Sequence, residues 1–337
     1  MAKSGQRAAE KAARPGRVAR RLVICAALSA PFVSQALAQG DRPIRVIVPG
    51  TPGGVADVAA RTIGDAMQRE LGQPWLVDPK PGASGIIGAK AFLDAPADGH
   101  TLYLTALSHV LLPFLTKVPF DVLADFRPVA MVGTSTFLLC VPAASPANTV
   151  MGFVDLARAN PGKLNYLNPG IGTAPHLLPE MIKIRYGLDI KSIYYKGYPT
   201  GIADLASGNL DLGLVSTGLA LSHVQQGRLK AIAQVSRRRI DVLENIPTLA
   251  EQGLGDLNIE AFLPLYGQVS MPAPAVARIN RAVAAALADQ PTRQRLAALH
   301  IDPLPMKAPE VEATMRREHD RLGAIIQQLG IRADDST

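Results

Sequence analysis

Cysteine is almost absent from this sequence. There are two, Cys25 and Cys140. Cys25 lies in an apolar run near the N-terminus. Cys140 lies in Phe137-Leu-Leu-Cys-Val141, where a lone thiol reads as a small buried hydrophobe. That leaves neither a disulfide framework nor a cysteine-based metal site. The six histidines (100, 109, 176, 223, 300 and 319) show no His-x-x-x-His spacing, so a histidine metal site has no basis either. No strand-to-helix turn carries Gly-x-Gly-x-x-Gly, and Gly82-Ala-Ser-Gly-Ile-Ile-Gly88 has the wrong spacing for dinucleotide binding. Gly-x-Ser-x-Gly is missing, and no Ser/His/acid set is suggested by position. Past Val33 no apolar run approaches the roughly 20 residues of a membrane span. No cofactor is expected, and an enzyme on an α/β fold is the weaker reading.

Charge is unevenly placed. The formal net charge is +7, yet seven of the 35 Lys and Arg residues (Lys3, Arg7, Lys11, Arg14, Arg17, Arg20 and Arg21) precede Leu22. Leu22 to Val33 is apolar but short, and Ala36-Leu-Ala38 is a small-x-small site. This is the pattern of a Sec-type signal peptide over residues 1–38, with cleavage expected after Ala38. Arg20-Arg21 admits a twin-arginine reading, which its flanks support poorly. Cys25 leaves with the leader, as does one of the 28 acidic residues, Glu10. The remainder then carries 28 basic against 27 acidic residues, a balance of +1. The basic character belongs to the leader, so nucleic-acid binding has no electrostatic support.

What is present is an alternation of strand and helix signals. Ile44-Arg-Val-Ile-Val48 is β-branched apart from Arg45 and reads as a buried strand. Apolar residues at Val55, Val58, Ala59, Ile63, Ala66, Met67 and Leu71 then recur at helical spacing. Further strands are predicted over 75–77, 101–105, 137–141, 164–167, 190–195, 210–215 and 230–235, and an extended stretch broken by Pro264 over 259–269. Helices are predicted over 86–93, 150–159, 200–206, 218–226, 275–287, 292–299 and 310–329, and from about 175, where Pro179 should bend or delay the helix. Residues 113–132 are punctuated by proline and resist assignment. Strands separated by helices predict a parallel-rich α/β architecture.

Two glycine-rich turns stand out, each following a strand and opening a helix. The first is Pro49-Gly-Thr-Pro-Gly-Gly54 with Asp57; the second is Asn168-Pro-Gly-Ile-Gly-Thr-Ala-Pro-His176. Turns with few side chains expose backbone N–H groups, and the helix dipole behind them favours negative charge. In open α/β sheets ligands bind beyond the carboxyl ends of the strands, where both turns would lie. Two such turns, one in each half, point to an anionic ligand held between two lobes.

Ile44-Arg-Val-Ile-Val-Pro-Gly-Thr-Pro-Gly-Gly-Val-Ala-Asp57 resembles the signature of the tripartite tricarboxylate transporter substrate-binding proteins, the Bug family. So do Leu71-Gly-Gln-Pro74, Pro81-Gly-Ala-Ser-Gly85, Ala97-Asp-Gly-His-Thr101, Pro161-Gly-Lys-Leu-Asn-Tyr166, Gly170-Ile-Gly-Thr-Ala-Pro-His176, Tyr195-Lys-Gly197 and Ile246-Pro-Thr-Leu-Ala-Glu251, in order along the chain. The resemblance implies a monomeric, periplasmic, type II-like Venus-flytrap protein with its ligand cleft between two α/β lobes. Its ligand would be a small organic acid: a di- or tricarboxylate, an aromatic acid or an acidic amino acid. Its partners would be membrane transporter subunits or, in a sensing role, a membrane histidine kinase. Lobe 1 is expected over 42–140 and 267–337, and lobe 2 over 141–266. The family holds the ligand's proximal carboxylate by backbone amides, hydroxyls and waters, without an arginine clamp. Carried over, Thr51, Gly53 and Gly54 serve in the first turn, and Gly170, Gly172, Thr173 and the Ala174 amide in the second. The full candidate set adds Pro52, Asp57, Ser108, Asn168, His176, Ser216 and Thr217.

Departures from the family pattern bear on specificity. Val215-Ser216-Thr217 stands where an acidic residue and an Asn usually face the cleft, so a carboxylate that would recognise an amine is missing. Gly50 and Thr51 replace an aromatic and a proline; Asn168 and Pro169 replace a glycine and a serine; Pro179 replaces a small flexible residue. Several side chains keep two readings. Asp57 either complements the helix dipole or meets the ligand, and His176 either faces the cleft or is satisfied by a backbone carbonyl. Ser108 and Ser84 either cap a helix or bind. Lys196 either reaches an acidic ligand or is a solvated strand-end residue, and Arg237-Arg-Arg239 is either an exposed face or a contact for a membrane partner.

Overall fold

The computed structural model describes residues 42–195 and 198–332. The leader, with its cleavage site and Cys25, and the Lys196-Gly197 pair lie outside the described residues. In chain order the strands are β1 (Ile44–Val48), β2 (Trp75–Pro79), β3 (Thr101–Leu104), β4 (Phe126–Ser135), β5 (Phe137–Pro142), β6 (Asn165–Asn168), β7 (Lys191–Tyr194), β8 (Leu212–Ser216), β9 (Leu229–Val235), β10 (Ala261–Gln268) and β11 (Ile301–Met306). The helices are α1 (Val55–Thr62), α2 (Gly64–Leu71), α3 (Ile86–Leu93), α4 (Ser108–Leu115), α5 (Val150–Ala159), α6 (Ala174–Tyr186), α7 (Tyr198–Ser207), α8 (Thr217–Gln225), α9 (Ala273–Ala288), α10 (Gln290–Ala298) and α11 (Ala308–Leu329).

The strands form two sheets, one of order β11-β4-β10-β3-β1-β2 and one of order β7-β6-β8-β5-β9. In the first, β1 lies between β2 and β3 and pairs with both in parallel. Four of its five residues are therefore buried, and only Arg45 reaches solvent, where it bonds Asp78. In the second, β6 has the same central place, parallel to β7 and β8. The sheets are mixed, not dominated by parallel pairing. β10 runs antiparallel to β3 and β4, and β5 antiparallel to β8 and β9. The reason is that β4 and β5 form one extended passage from the first sheet to the second, and β10 is the return.

Only Thr136 separates β4 from β5, so the chain leaves the first sheet there, and β10 is already back in it at Ala261, opposite Ser135. The lobe boundaries expected at 140/141 and 266/267 fall inside β5 and β10. The apolar run 137–141 looks alike on either side of the passage, so composition does not locate the crossing. Thr136 ties the crossing together. Its N–H donates to the His300 carbonyl (3.3 Å), its hydroxyl to the Thr217 hydroxyl (2.9 Å), and its carbonyl accepts the Thr217 N–H (3.0 Å).

Four other departures have identifiable causes. The helix expected from 55 to 71 is interrupted at Ile63, where the Trp75 indole N–H takes the Ala60 carbonyl at 3.0 Å and its ring fills the space beside Gly64. β11 carries Pro303 and Pro305 and pairs only with β4, as a sheet edge allows. Pro264 is accommodated by a register shift within β10. Helix α6 continues through Pro179, held by buried Glu180, which accepts from the Tyr166 hydroxyl (2.6 Å) and Lys183 (2.8 Å). The C-terminal α11 packs on α4 and β4 and reaches α6 of the second sheet.

Candidate functional site

Each glycine-rich turn is built the same way. In the first, between β1 and α1, Gly53 adopts φ +80°, which a residue with a Cβ adopts only under strain. Its N–H donates to Asp57 Oδ2, four residues on, at 2.9 Å. In the second, between β6 and α6, Gly172 adopts φ +71° and its N–H donates to His176 Nδ1, again four residues on, at 3.2 Å. In both, a side chain from the first helical turn latches the left-handed glycine. Asp57 also receives Arg61 at 3.0 Å. Burial, the largest single influence on Asp57, raises its pKa. The hydrogen bonds from Arg61 and the Gly53 N–H, with the Arg61 charge, outweigh burial and hold it below the ordinary carboxylate value. The acceptor role at His176 fixes Nδ1 as the unprotonated nitrogen.

The latches settle which donors are committed. The amides of Gly53 and Gly172 are taken by these side chains. Gly54 N–H goes to the Thr51 carbonyl (3.0 Å), and Gly170 N–H to Asn168 Oδ1 (3.0 Å). The Thr173 hydroxyl donates to the Gly170 carbonyl at 2.6 Å. The N–H groups left without an acceptor among the described residues include those of Val55, Ala56 and Ala174, at the starts of α1 and α6. The hydroxyls of Thr51, Ser108, Ser135 and Ser216 make no hydrogen bond among them either.

The turns from the two sheets meet over one cavity of about 780 Å³. Thr51, Pro52, Gly53, Gly54 and Ser108 line it from the first sheet's side, and Gly172, Thr173, Ala174 and Ser216 from the second's. Ser135, Phe137, Ile259, Ala261 and Ile301 line it where the chain crosses between the sheets. Five members of the candidate set lie off this wall. Asp57 and His176 are the latches. Asn168 is buried, capping Gly170 and donating to Ser192 (3.1 Å). Gly170 shapes the turn, and Thr217 is fully buried at the crossing. A smaller cavity of about 400 Å³ adjoins behind the first turn, sharing Thr51, Gly54, Val55, Ala106 and Ser108, and is lined also by Asp57, Ser84 and His109.

Among the lining residues that sequence reasoning did not find are Leu107, Leu111, Leu177, Tyr198, Leu219 and Leu299. Nothing in their spacing separates them from core residues. Among the described residues the lining of the larger cavity contains no Lys, Arg, His, Asp or Glu. Nor do the described residues hold a group of three or more His, Cys, Asp or Glu suited to a metal ion. Cys140 is buried, and burial pushes its thiol up to about 12, far from nucleophilic use. The arrangement can therefore accept a desolvated anion through main-chain N–H groups, hydroxyls and two helix N-termini, with no charged side chain in the wall.

Comparison with known proteins shows the family. Residues 59–331 match the family described as Tripartite tricarboxylate transporter family receptor. The chain is 31% identical over 302 residues to the UPF0065 protein in the gbd 5' region of Cupriavidus necator, covering 89% of this chain and 91% of the relative. Its fold is similar to that of MatC from Rhodopseudomonas palustris with bound malate, with a TM-score of 0.73, 26% identity, and 85% of this chain and 99% of that one covered. It is similar also to an R. palustris protein with adipate, with a TM-score of 0.76, 26% identity, and coverages of 86% and 98%. The two mixed α/β sheets are the two lobes of a periplasmic binding protein, and the chain belongs to the tripartite tricarboxylate transporter receptor family, whose members are solute-binding proteins and not enzymes.

Proposed function

We propose that this protein is a periplasmic receptor that captures a small organic carboxylate in the cleft between its lobes and presents it to a tripartite tricarboxylate-type transporter. The observation that carries this reading is the meeting of two latched, helix-initiating turns, one from each sheet, over one cavity with uncommitted N–H and hydroxyl donors. The carboxylate head is taken by the Val55 and Ala174 amides with the Thr51, Ser108 and Ser216 hydroxyls. The malate- and adipate-bound structures of similar proteins support a carboxylate as the ligand class. Donors from both lobes serve one head group only when the lobes approach, so the ligand favours the closed state by its differential contacts. A micromolar affinity needs about 8 kcal/mol. Charge-assisted hydrogen bonds of roughly 1.5–3 kcal/mol each supply it with four or five donors.

A thermal-shift screen of organic acids on the purified exported protein, followed by calorimetry, tests the reading. A saturable shift with a carboxylate, and none with the matching amide, is expected. A screen in which only sugars or cations stabilise the protein would overturn it. Genes for small and large membrane subunits next to this one are expected for a transport role; a sensor kinase in their place would assign the receptor to signalling.

A further inference from the structure

We propose that the preferred ligand is a monocarboxylate with an apolar, ring-bearing body, and that a second carboxylate at its far end is disfavoured. The inference rests on the receptor reading above and names the substrate class of that same site.

The cavity wall is mostly apolar, with a few amides and hydroxyls and no charged side chain among the described lining residues. Of the uncommitted donors on this wall, the Val55 and Ala174 amides and the Thr51 hydroxyl belong to the two turns and the helix starts behind them, while the Ser108, Ser135 and Ser216 hydroxyls come from α4, β4 and β8. The remaining surface is supplied by side chains such as Leu111, Phe137, Tyr198, Leu219, Ile259 and Leu299. The Tyr198 hydroxyl already donates to the Leu214 carbonyl at 3.2 Å, so the face that the residue offers a ligand is its ring. No described lining residue carries a positive charge. A carboxylate buried away from the turns would lose its hydration with nothing to replace it, which is the least favourable way to bury a charge. An apolar body in the same place removes hydrocarbon surface from water on both sides.

Size and exposure point the same way. A cavity of about 780 Å³ lies in the range of about 300–1,000 Å³ that encloses drug-sized molecules, much more than a four-carbon diacid fills. Leu219 of α8 and Leu299, just after α10, are 47% and 38% exposed, and both line the cavity, one from each lobe. An isolated exposed leucine carries no information. Two facing one cleft from opposite lobes form apolar surface that an apolar ligand and lobe closure would cover together. Phe137 and Tyr198 add flat ring faces, to which an aromatic or alicyclic body packs better than a linear chain.

Matched pairs differing only in the far group test this by calorimetry: hexanoate against adipate, and 4-methylbenzoate against terephthalate. The methyl-ended acid of each pair is expected to bind about tenfold tighter or more, with 4-methylbenzoate ahead of hexanoate. Leu219→Arg, at an exposed position, is expected to move both ratios toward the diacid by about fivefold or more, because it supplies the missing cation. A diacid binding as tightly as its partner, or a diacid affinity that disappears in Lys196→Met, would overturn the inference and leave the carboxylate receptor standing. Absence of binding by all four acids and by every other carboxylate in the screen would overturn the receptor reading itself.

Discussion

Gly53→Ala separates the binding role of the first turn from its contribution to folding. Gly53 adopts φ +80°, and a Cβ placed there would meet nothing within 4 Å. The penalty is therefore one of backbone conformation alone, about 1–2 kcal/mol for a left-handed residue with a side chain. In the free variant the turn escapes this strain by rotating to negative φ, which breaks the 2.9 Å bond from its N–H to Asp57. Ligand binding must then restore the strained turn, so affinity falls by roughly 5- to 30-fold. The turn is exposed, and the melting temperature should hardly move. Gly172→Ala is the contrast, because its Cβ would come within 2.0 Å of Leu115 Cδ1, on α4 of the other lobe. That overlap should cost about 1–3 kcal/mol of stability besides affinity. Calorimetry with the best acid from the screen, beside thermal melts, reads both quantities. Wild-type affinity in Gly53→Ala, or a loss of affinity that only follows a loss of fold, would remove the left-handed turn as a determinant of binding.

Four further outcomes follow from the same geometry. Asp57→Ala removes the latch and should weaken binding by about tenfold or more, the loss of one charged hydrogen bond; calorimetry showing equal or tighter binding would count against the latch. Because the folded pKa of Asp57 is depressed, the latch is complete above the unfolded carboxylate value near 3.8 and is lost only as pH falls below it, so affinity at pH 5 and pH 7 should agree to within a factor of about two. Burial lowers His109 from 6.5 to about 3. The unfolded chain takes up that proton below 6.5 and the folded one does not, so stability declines as pH falls, by about 1.4 kcal/mol per unit between those values. Urea melts at pH 7 and pH 5 should show this decline in the wild type and about 2 kcal/mol less of it in His109→Leu; parallel pH profiles would remove His109 as the cause. Finally, no Asp or Glu is among the described residues lining the larger cavity, so no carboxylate is placed to pair with an amine and glutamate should bind no better than glutarate in a thermal-shift comparison.

The parts of this protein that were legible in its sequence are those set by short-range chemistry. The β-branched run at 44–48, the two turns and the helical spacing after them required no tertiary information, and most later elements lie within a few residues of their expected places. Other features depended on partners distant in the chain. Trp75 decides that the first helix breaks at Ile63, and an edge position makes β11 possible despite Pro303 and Pro305. The lobe crossing at Thr136 rests on bonds to Thr217 and His300, neither near it in sequence. At the site, small polar residues in the turns announced themselves, and nine of fourteen candidates line the larger cavity. Asp57 and His176 belong to the turns without facing that cavity, because each is turned back onto the glycine four residues before it. The apolar wall was invisible, since Leu219 and Leu299 differ from core leucines only in where the folded chain puts them.

The central claim is that N–H groups and hydroxyls on two opposing turns, and not cationic side chains, neutralise the ligand's carboxylate. A crystal structure of the protein with the tightest acid from the screen tests it most directly. A carboxylate within hydrogen-bond distance of donors at 51–56 and 173–174, with no Lys or Arg nitrogen in contact, is expected. A carboxylate paired with lysine or arginine, or bound away from both turns, would contradict it.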